Sequence, residues 1–383
     1  MANIKKFLFV DVSPLWEIEY TGISNVVYEL ASRFLFNPPK NCDLNFTVFH
    51  KKVDSALIEN CIKMRSGLCL QERKDFFLKD EGIVKTDSNG HIDKNPTIGL
   101  FLHVKPAKKT YTFEGFLFYD LSFFITPECH TKETIQFHSN QLDEQIKTTD
   151  VFFAISESTK KDLVWLYNIQ EKNCHVALLG GNHDQKHAIA AKNKIGSCSV
   201  EPFFLVLGTI EPRKNIGIVL AWLSKNQSIL QNFKVVFAGR QGWGKPFNEY
   251  ISEYNLTSYY KSERIVHLGY VDERLKATLL VSAKALIFPS FFEGFGLPVL
   301  EAMSLGVPVI ASCSTSIPEV LGECGYYFDP YSIESLGRAI GDFISDSKNN
   351  KLDPIRNTAK TRSTTFSYDQ TYHTIISKMG LLI

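Results

Sequence analysis

Short apolar runs rich in β-branched and aromatic residues alternate with helix-forming stretches along the whole chain, which predicts an α/β protein built on parallel sheets. The alternation runs twice, on either side of a polar stretch at His183–Glu201, so two Rossmann-like domains are expected. With 383 residues, 44% hydrophobic and 22% charged, each half can bury a core of its own.

In the first half the strands are expected at Phe7–Asp11, Asn45–His50, Phe116–Asp120, Val151–Ile155 and His175–Leu179. Helices are expected at Gly22–Phe36, Lys132–Thr148 and Ser158–Tyr167. Lys51–Pro96 breaks the alternation; it is charged and holds Asn89-Gly90, a hairpin signal, so residues 51–97 read as an insertion decorating a first domain at 1–190. In the second half the strands are Phe203–Gly208, Lys234–Ala238, Arg264–Leu268, Ala285–Pro289 and Val307–Ala311. Their helices are Asn215–Lys225, Asp272–Ser282, Leu297–Leu305 and Ile333–Ile344, giving a second domain at 200–365. Residues 366–383 read as a terminal helix crossing back to the first domain.

A net charge of +1 argues against a nucleic-acid partner. The eight cysteines include no Cys-x-x-Cys and read as reduced, mostly buried thiols. The opening apolar run reaches Asp11 too soon for a signal-peptide core, and no run is long enough to span a bilayer. A cytoplasmic protein is expected, and peripheral contact with the inner face of a membrane is compatible with this composition.

The densest motif is Phe291-Phe292-Glu293-Gly294-Phe295-Gly296-Leu297-Pro298-Val299-Leu300-Glu301, which follows a strand and opens a helix. Pro298 suits the first helical turn, and Gly306 closes the helix. Gly294 and Gly296 let the backbone turn and approach a ligand, and a helix start is a natural anion site. Glu293 before the helix and Glu301 inside it can reach different hydroxyl pairs of one elongated ligand, with a diphosphate between them. The competing reading of Glu293 is an exposed acid stabilising a helix start. Upstream, Gly208-Thr209-Ile210-Glu211-Pro212-Arg213-Lys214-Asn215 leads from a strand into a helix. It places Arg213 and Lys214 where open α/β sheets bind ligands. Such a pair can neutralise a diphosphate, though a basic pair by itself is more often a solvated face.

The segment EGFGLPVLEAMSLGVPVIAS resembles the Glu-x7-Glu region of retaining GT-B glycosyltransferases of glycosyltransferase family 4. The resemblance implies a GT-B fold and sugar transfer from a nucleotide diphosphate donor. It implies that Glu293 lies by the donor sugar hydroxyls and Glu301 by the ribose. The backbone of Gly294, Phe295, Gly296 and Leu297 would meet the diphosphate and sugar. Arg213 and Lys214 resemble the family's phosphate-binding basic pair, with Gly208 at the preceding turn. His267-Leu268-Gly269-Tyr270-Val271 resembles the nucleobase segment, with Tyr270 and Val271 near the base edge. Phe237-Ala238-Gly239, with Gly242 and Gly244, resembles the family's next strand and loop.

In the first half, Tyr20-Thr21-Gly22-Ile23-Ser24-Asn25 resembles the Gly-rich loop whose backbone faces the diphosphate; a second glycine of that pattern is missing and Ser24-Asn25 stands where Gly-Arg is usual. The Gly22 amide remains a candidate. Trp16 and Tyr20 in the same loop are candidates for stacking on an acceptor sugar, with plain packing as the alternative. Tyr119-Asp120-Leu121 resembles the family's His-Asp-Leu segment, Tyr119 standing where His is common. It makes Asp120 a candidate for hydrogen bonding to acceptor or donor sugar, with a turn residue as the alternative. Ser156 at Ser156-Glu157-Ser158-Thr159 reads equally as an N-cap.

Absent motifs narrow the chemistry. There is no Asp-x-Asp, so a metal-free site is expected, with Arg213 and Lys214 neutralising phosphate. His183-Asp184 with His187 has the i, i+4 spacing of a metal pair but no evident third ligand. No nicotinamide fingerprint and no P-loop occur. The expected activity is retaining transfer of a sugar to a glycan or lipid-linked glycan, with no cofactor. Tyr119-Asp120-Leu121 and Pro127-Glu128 resemble mannosyltransferase-type members that build bacterial surface polysaccharides such as O-antigen, so GDP-mannose or a related deoxysugar is the expected donor. Two other readings stay open: a silent GT-B subunit that binds nucleotide sugar or glycan, and a GT-B nucleotide-sugar epimerase.

Overall fold

The computed structural model describes residues 6–18, 20–40, 42–71, 96–181 and 201–381. The chain forms two compact units, one of residues 1–121, 136–180 and 367–383, the other of 122–135 and 181–366. The hairpin signal at Asn89-Gly90 and the pair His183 and His187 lie outside the described residues.

The first unit holds a seven-stranded sheet in the order β3-β2-β1-β4-β5-β6-β7. The strands are β1 Lys6–Asp11, β2 Cys42–Val48, β3 Lys51–Val53, β4 Thr97–Phe101, β5 Phe113–Phe118, β6 Val151–Ala154 and β7 Cys174–Val176. All pairs are parallel except β2 with β3. Helix Gly22–Phe36 opens on a capping box between Thr21 and Ser24 and turns Val26, Val27, Leu30, Ala31 and Phe34 inward. The terminal helix Tyr368–Lys378 packs against it, with the Tyr372 ring edge-on to Phe34 at 4.9 Å and Arg33 paired to Asp369 at 2.7 Å. At the other end of the sheet a fully buried ion pair, Lys105 to Glu114 at 2.6 Å, ties the chain after β4 to β5.

Two sequence expectations need correction here. The stretch from residue 51, expected as an insertion, begins as regular fold: β3 extends the sheet, and Asp54 caps a helix Ser55–Met64 that buries Leu57, Ile58, Cys61 and Ile62. β3 is too short to show alternation, and its two lysines are exposed, so its pattern read as charged loop. β4 was not expected as a strand, yet it sits between β1 and β5 with every residue buried. A five-residue run buried on both faces has no period to reveal it.

The second unit holds a six-stranded sheet in the order β10-β9-β8-β11-β12-β13, all parallel. Its strands are β8 Phe203–Leu207, β9 Lys234–Ala238, β10 Ile265–His267, β11 Ala285–Phe288, β12 Val309–Ser312 and β13 Tyr326–Phe328. Numbered within the unit, that order is 3-2-1-4-5-6, whose direction reverses between β8 and β11. In open α/β sheets ligands bind outside the carboxyl ends of the strands at such a switch point. A core of Phe204, Val219, Leu223, Phe237, Ile287 and Phe343 fixes the strands beneath it.

Ser122–Ile135 groups with this second unit, although a first domain at 1–190 was expected to contain it. The indole N–H of Trp243 donates to Cys129 O at 2.8 Å, and the His130 ring lies 5.9 Å from the Trp243 ring. A connection between a strand and a helix carries no local signal of which sheet it will pack on.

At the carboxyl edge of the second sheet, β8 and β9 run into glycines that nearly touch. A β-carbon on Gly239 (φ +154°) would lie 1.9 Å from Gly208 O. That obstacle is backbone. Gly239→Ala is therefore expected to lower the stability of the protein by about 2 kcal/mol or more, read as the urea midpoint; an unchanged midpoint would show that the strand ends can part without cost.

Candidate active site

The loop after β8 carries the basic pair at the carboxyl edge of the second sheet. Pro212–Lys214 form a single tight helical turn, and Asn215 takes a left-handed conformation (φ +51°) to start helix Ile216–Lys225. Asn215 Nδ2 donates to Pro289 O at 3.1 Å and to Pro330 O at 2.9 Å, and Phe291 N donates to Arg213 O at 2.9 Å. These bonds lock the basic loop onto the loop after β11. The positions of Arg213 and Lys214 relative to Glu293 are thereby set by the backbone as well as by charge.

Glu293 is buried at 7% exposure. Lys214 Nζ meets its Oε1 at 2.5 Å and Arg213 NH1 its Oε2 at 3.3 Å. Arg213 also donates to Phe292 O at 2.9 Å and to Glu211 Oε1 at 2.9 Å. Glu293 is held from behind by the loop after β12. Its N–H donates to Thr315 Oγ1 at 3.0 Å, and its carbonyl accepts from Thr315 and Ser316 hydroxyls, each at 2.8 Å. Thr315 adopts φ +45° to make this contact. Burial works to raise the Glu293 carboxyl, but Lys214 and Arg213 outweigh it, so the group is held below the ordinary carboxylate range.

Beyond Glu293 the chain turns at Gly296 (φ +101°) into helix Leu297–Ser304, with Pro298 in its first turn. The Phe295 side chain is buried, edge-on to Phe366 at 5.9 Å, so this residue anchors the turn and offers a ligand its backbone. The N–H groups of Gly296 and Leu297, at the N-cap and first helical position, have no intrahelical acceptor, since a helix leaves its first donors unpaired within itself. Gly306 follows the helix end with φ +69°. Inside the helix Glu301 is buried and its Oε1 meets Lys276 Nζ at 2.8 Å. Lys276, which the sequence motifs did not single out, also meets Glu273 Oε2 at 2.9 Å. Burial disfavours its charge, but Glu301 and Glu273 outweigh that and hold the ammonium above the ordinary lysine value.

The remaining candidates fall as follows. Gly208 (φ +145°) lies under Lys214, whose side-chain carbons would be 3.5 Å from a β-carbon placed there. Tyr270 is exposed and Val271 half-buried in the loop after β10, just before helix Glu273–Ser282. Gly269 O there accepts from Gly239 N at 2.8 Å. Gly294 is buried beside Glu293.

The first-unit candidates stand at the carboxyl ends of β1 and β5. Gly22 begins helix Gly22–Phe36, with open space around its α-carbon. Tyr20 is buried at 8% exposure with its ring 6.1 Å from Tyr28, which corrects the expectation of a stacking platform. Trp16 is half-buried and edge-on to Phe49 at 5.5 Å. The Tyr119 hydroxyl donates to Leu102 O at 3.0 Å, and burial pushes the phenol far above its usual range. Asp120 is half-buried and lies within electrostatic reach of His138.

The roles of Asn215 as a lock, of Thr315 and Ser316 as a backing, and of Lys276 as the partner of Glu301 carry no signal in a local sequence motif. A basic residue one turn into the helix after the Gly269 loop marks the place of the last but not its partner.

Among the described residues no group of three or more His, Cys, Asp or Glu side chains could hold a metal ion. No described helix is long and apolar enough to cross a membrane.

Residues 188–362 match the family described as Glycosyl transferases group 1. The chain is 28% identical over 279 residues to O-antigen chain mannosyltransferase B of Escherichia coli, covering 69% of each protein. It is 27% identical over 259 residues to the serotype-specific mannosyltransferase WbdA of the same organism, where it spans 65% of this chain and only 31% of the relative. Among solved structures it is similar to Anabaena Alr3699/HepE in complex with UDP and glucose, with a TM-score of 0.64 at 14% identity over 98% of this chain and 99% of that one. With neighbours of this kind the fold is GT-B.

The depressed Glu293 carboxyl makes a stability prediction. An acid whose folded pKa lies below its unfolded value contributes stability that is complete above the unfolded value, and loses it as pH falls through the folded one. The stability gap between the protein and Glu293→Gln is therefore expected to stay constant from neutral pH down to about 5 and to close below about 4.3, the unperturbed glutamate value. Urea midpoints across this range measure it; a gap as large at pH 3 as at neutral pH would mean the carboxylate is not what holds the two bases.

Proposed function

We propose that this glycosyltransferase, whose residues 188–362 form a group 1 domain, transfers mannose from GDP-mannose, or a related deoxysugar, to a glycan or lipid-linked glycan in O-antigen or related polysaccharide synthesis. The observation that carries the reading is the convergence of Arg213, Lys214 and Glu293 at the switch point of the second sheet, directly before a helix N-terminus. Two cations beside helix-start amides suit a diphosphate, and an acid beside them suits sugar hydroxyls. The O-antigen mannosyltransferases among the relatives support mannose, and the UDP complex of a structural neighbour supports a nucleotide sugar.

The mechanism that fits is same-face replacement with retained configuration. The bond between the sugar's anomeric carbon and the diphosphate oxygen breaks. The acceptor hydroxyl oxygen bonds to the same face of that carbon. Its proton passes to the departing diphosphate oxygen. Arg213, Lys214 and the amides of Phe295, Gly296 and Leu297 stabilise the charge that grows on the leaving group. Glu293 orients the sugar through its hydroxyls and forms no covalent bond. Glu301 takes the ribose, and Tyr270 and Val271 border the base. Phosphate charge is carried by side chains and amides, so no metal is required. The reaction takes place in the cytoplasm, where nucleotide sugars are supplied, with a lipid-linked acceptor reached at the membrane's inner face.

Arg213→Ala and Lys214→Ala are each expected to lower kcat about 100- to 1000-fold, the effect of losing one donor to transition-state charge. Glu293→Ala is expected to fall at least as far. Near-normal turnover in Arg213→Ala and Glu293→Ala would refute the assignment. The donor is read from a thermal-shift screen of GDP, UDP, dTDP and ADP sugars, since a ligand that binds only the folded state raises the melting point. Activity is expected to survive excess EDTA; loss that added Mg²⁺ or Mn²⁺ restores would overturn the metal-free mechanism. NMR of the product's anomeric proton reports whether configuration is retained.

A further inference from the structure

Helix Glu273–Ser282 follows the Gly269–Val271 turn directly and starts on a firm cap, the Asp272 carboxylate accepting from Leu275 N at 2.7 Å. One turn in, Lys276 reaches across to helix Leu297–Ser304 and places its ammonium 2.8 Å from Glu301 Oε1 and 2.9 Å from Glu273 Oε2. Three charges thus meet where two helices pass, with Lys276 and Glu301 both largely shielded from solvent. Burying such a group adds little to net stability, because desolvation offsets the attraction. What the contact does supply is orientation. A carboxylate has about four lone-pair sites on two oxygens, and an ammonium fixed on one oxygen sets the plane of the whole group.

We propose that Lys276 is a positioning residue for the donor nucleotide: by gripping Glu301 Oε1 it aims that carboxylate at the vicinal diol of a ribose. The inference rests on the reading of Glu301 as the ribose ligand. A ribose 2′,3′-diol presents two O–H donors side by side, the pattern a fixed carboxylate plane accepts best. Lys276 also cancels one of two neighbouring negative charges, so a diphosphate approaching the same face meets less repulsion. Glu273 steadies the ammonium from its own helix, three residues earlier, so the charged tip is held from both helices. The ligand class is therefore a nucleoside diphosphate with an intact ribose.

The test is calorimetric binding of GDP against 2′,3′-dideoxy-GDP, and of UDP against 2′,3′-dideoxy-UDP, to the wild-type protein, Lys276→Met, Lys276→Gln and Glu301→Gln. The wild type is expected to favour the ribo form of its preferred nucleotide by about tenfold or more, the value of a hydrogen bond to a charged group. In Lys276→Met that ratio falls close to one, and in Lys276→Gln, which keeps an N–H donor, part of it remains. A wild-type ratio in Lys276→Met overturns the proposal. If Lys276→Met does not fold, by its thermal melt, an unchanged ratio in Lys276→Gln overturns it equally. Failure of the underlying reading shows differently. Discrimination that is absent in the wild type or survives in Glu301→Gln removes the ribose role of Glu301 and this inference with it. Loss in Glu301→Gln with no change in either Lys276 variant removes only the role of Lys276. Binding of neither ribonucleotide overturns the GDP-mannose reading and this inference with it.

Discussion

A buried acid must be neutralised, and the second unit is organised around that requirement at Glu293. Its carboxylate lies at the carboxyl edge of the sheet, where solvent cannot carry its charge, so two cations have to meet it there. They come from a loop some eighty residues earlier in the chain. Only the sheet order brings the two loops together, since β8 and β11 are neighbours in space and distant in sequence. Asn215 then stitches the loops through backbone carbonyls, which keeps the cations in place independently of the acid they face. Thr315 and Ser316 do the same for Glu293 from the other side.

This arrangement makes little sense as a device for stability. A buried acid with two bases is at best neutral for folding relative to a well-packed apolar cluster, because each ion has lost its water. A second such cluster, Lys276 with Glu301 and Glu273, recurs at the neighbouring helix. Two such costly clusters fit the proposed binding role better than a role in stability. By contrast, the buried Lys105–Glu114 pair of the first unit lies against backbone and Thr148, where it ties a loop to a strand.

How far the site could be read in advance follows from where its information is stored. Glu293, Arg213 and Lys214 stand out locally because a strand end, a turn glycine and a helix start leave signatures in the sequence, but for the basic pair it is the resemblance to the family's motif that outweighs a solvated face. The amphipathic helix Gly22–Phe36 was legible to the residue from the same kind of local signature. Asn215, Thr315 and Lys276 were not, because each acts on a partner in another element, and single-sequence periodicity carries no such pairing. β3 and β4 were missed because one is too short and the other too evenly buried to show a period. Tyr20 is the reverse case. Its loop position suggested exposure, and only the packing of helix Gly22–Phe36 shows that the ring faces Tyr28. An aromatic residue in a loop has two equally good uses, and the choice between them is made by the neighbours.

The same electrostatics suggests why the site would act more strongly on a transition state than on a bound donor. Arg213 is shared among Glu293, Glu211 and Phe292 O, and Lys214 is committed to Glu293. An incoming diphosphate has to compete for these cations, so ground-state binding is tempered by contacts already made. As the sugar departs, negative charge accumulates on the leaving oxygens and the competition shifts toward phosphate. Glu293 meanwhile gains a partner of the opposite kind, because the sugar becomes electron-poor as the acid loses its cations. On the proposed reaction, stabilisation that grows along the reaction coordinate is the part that would raise the rate.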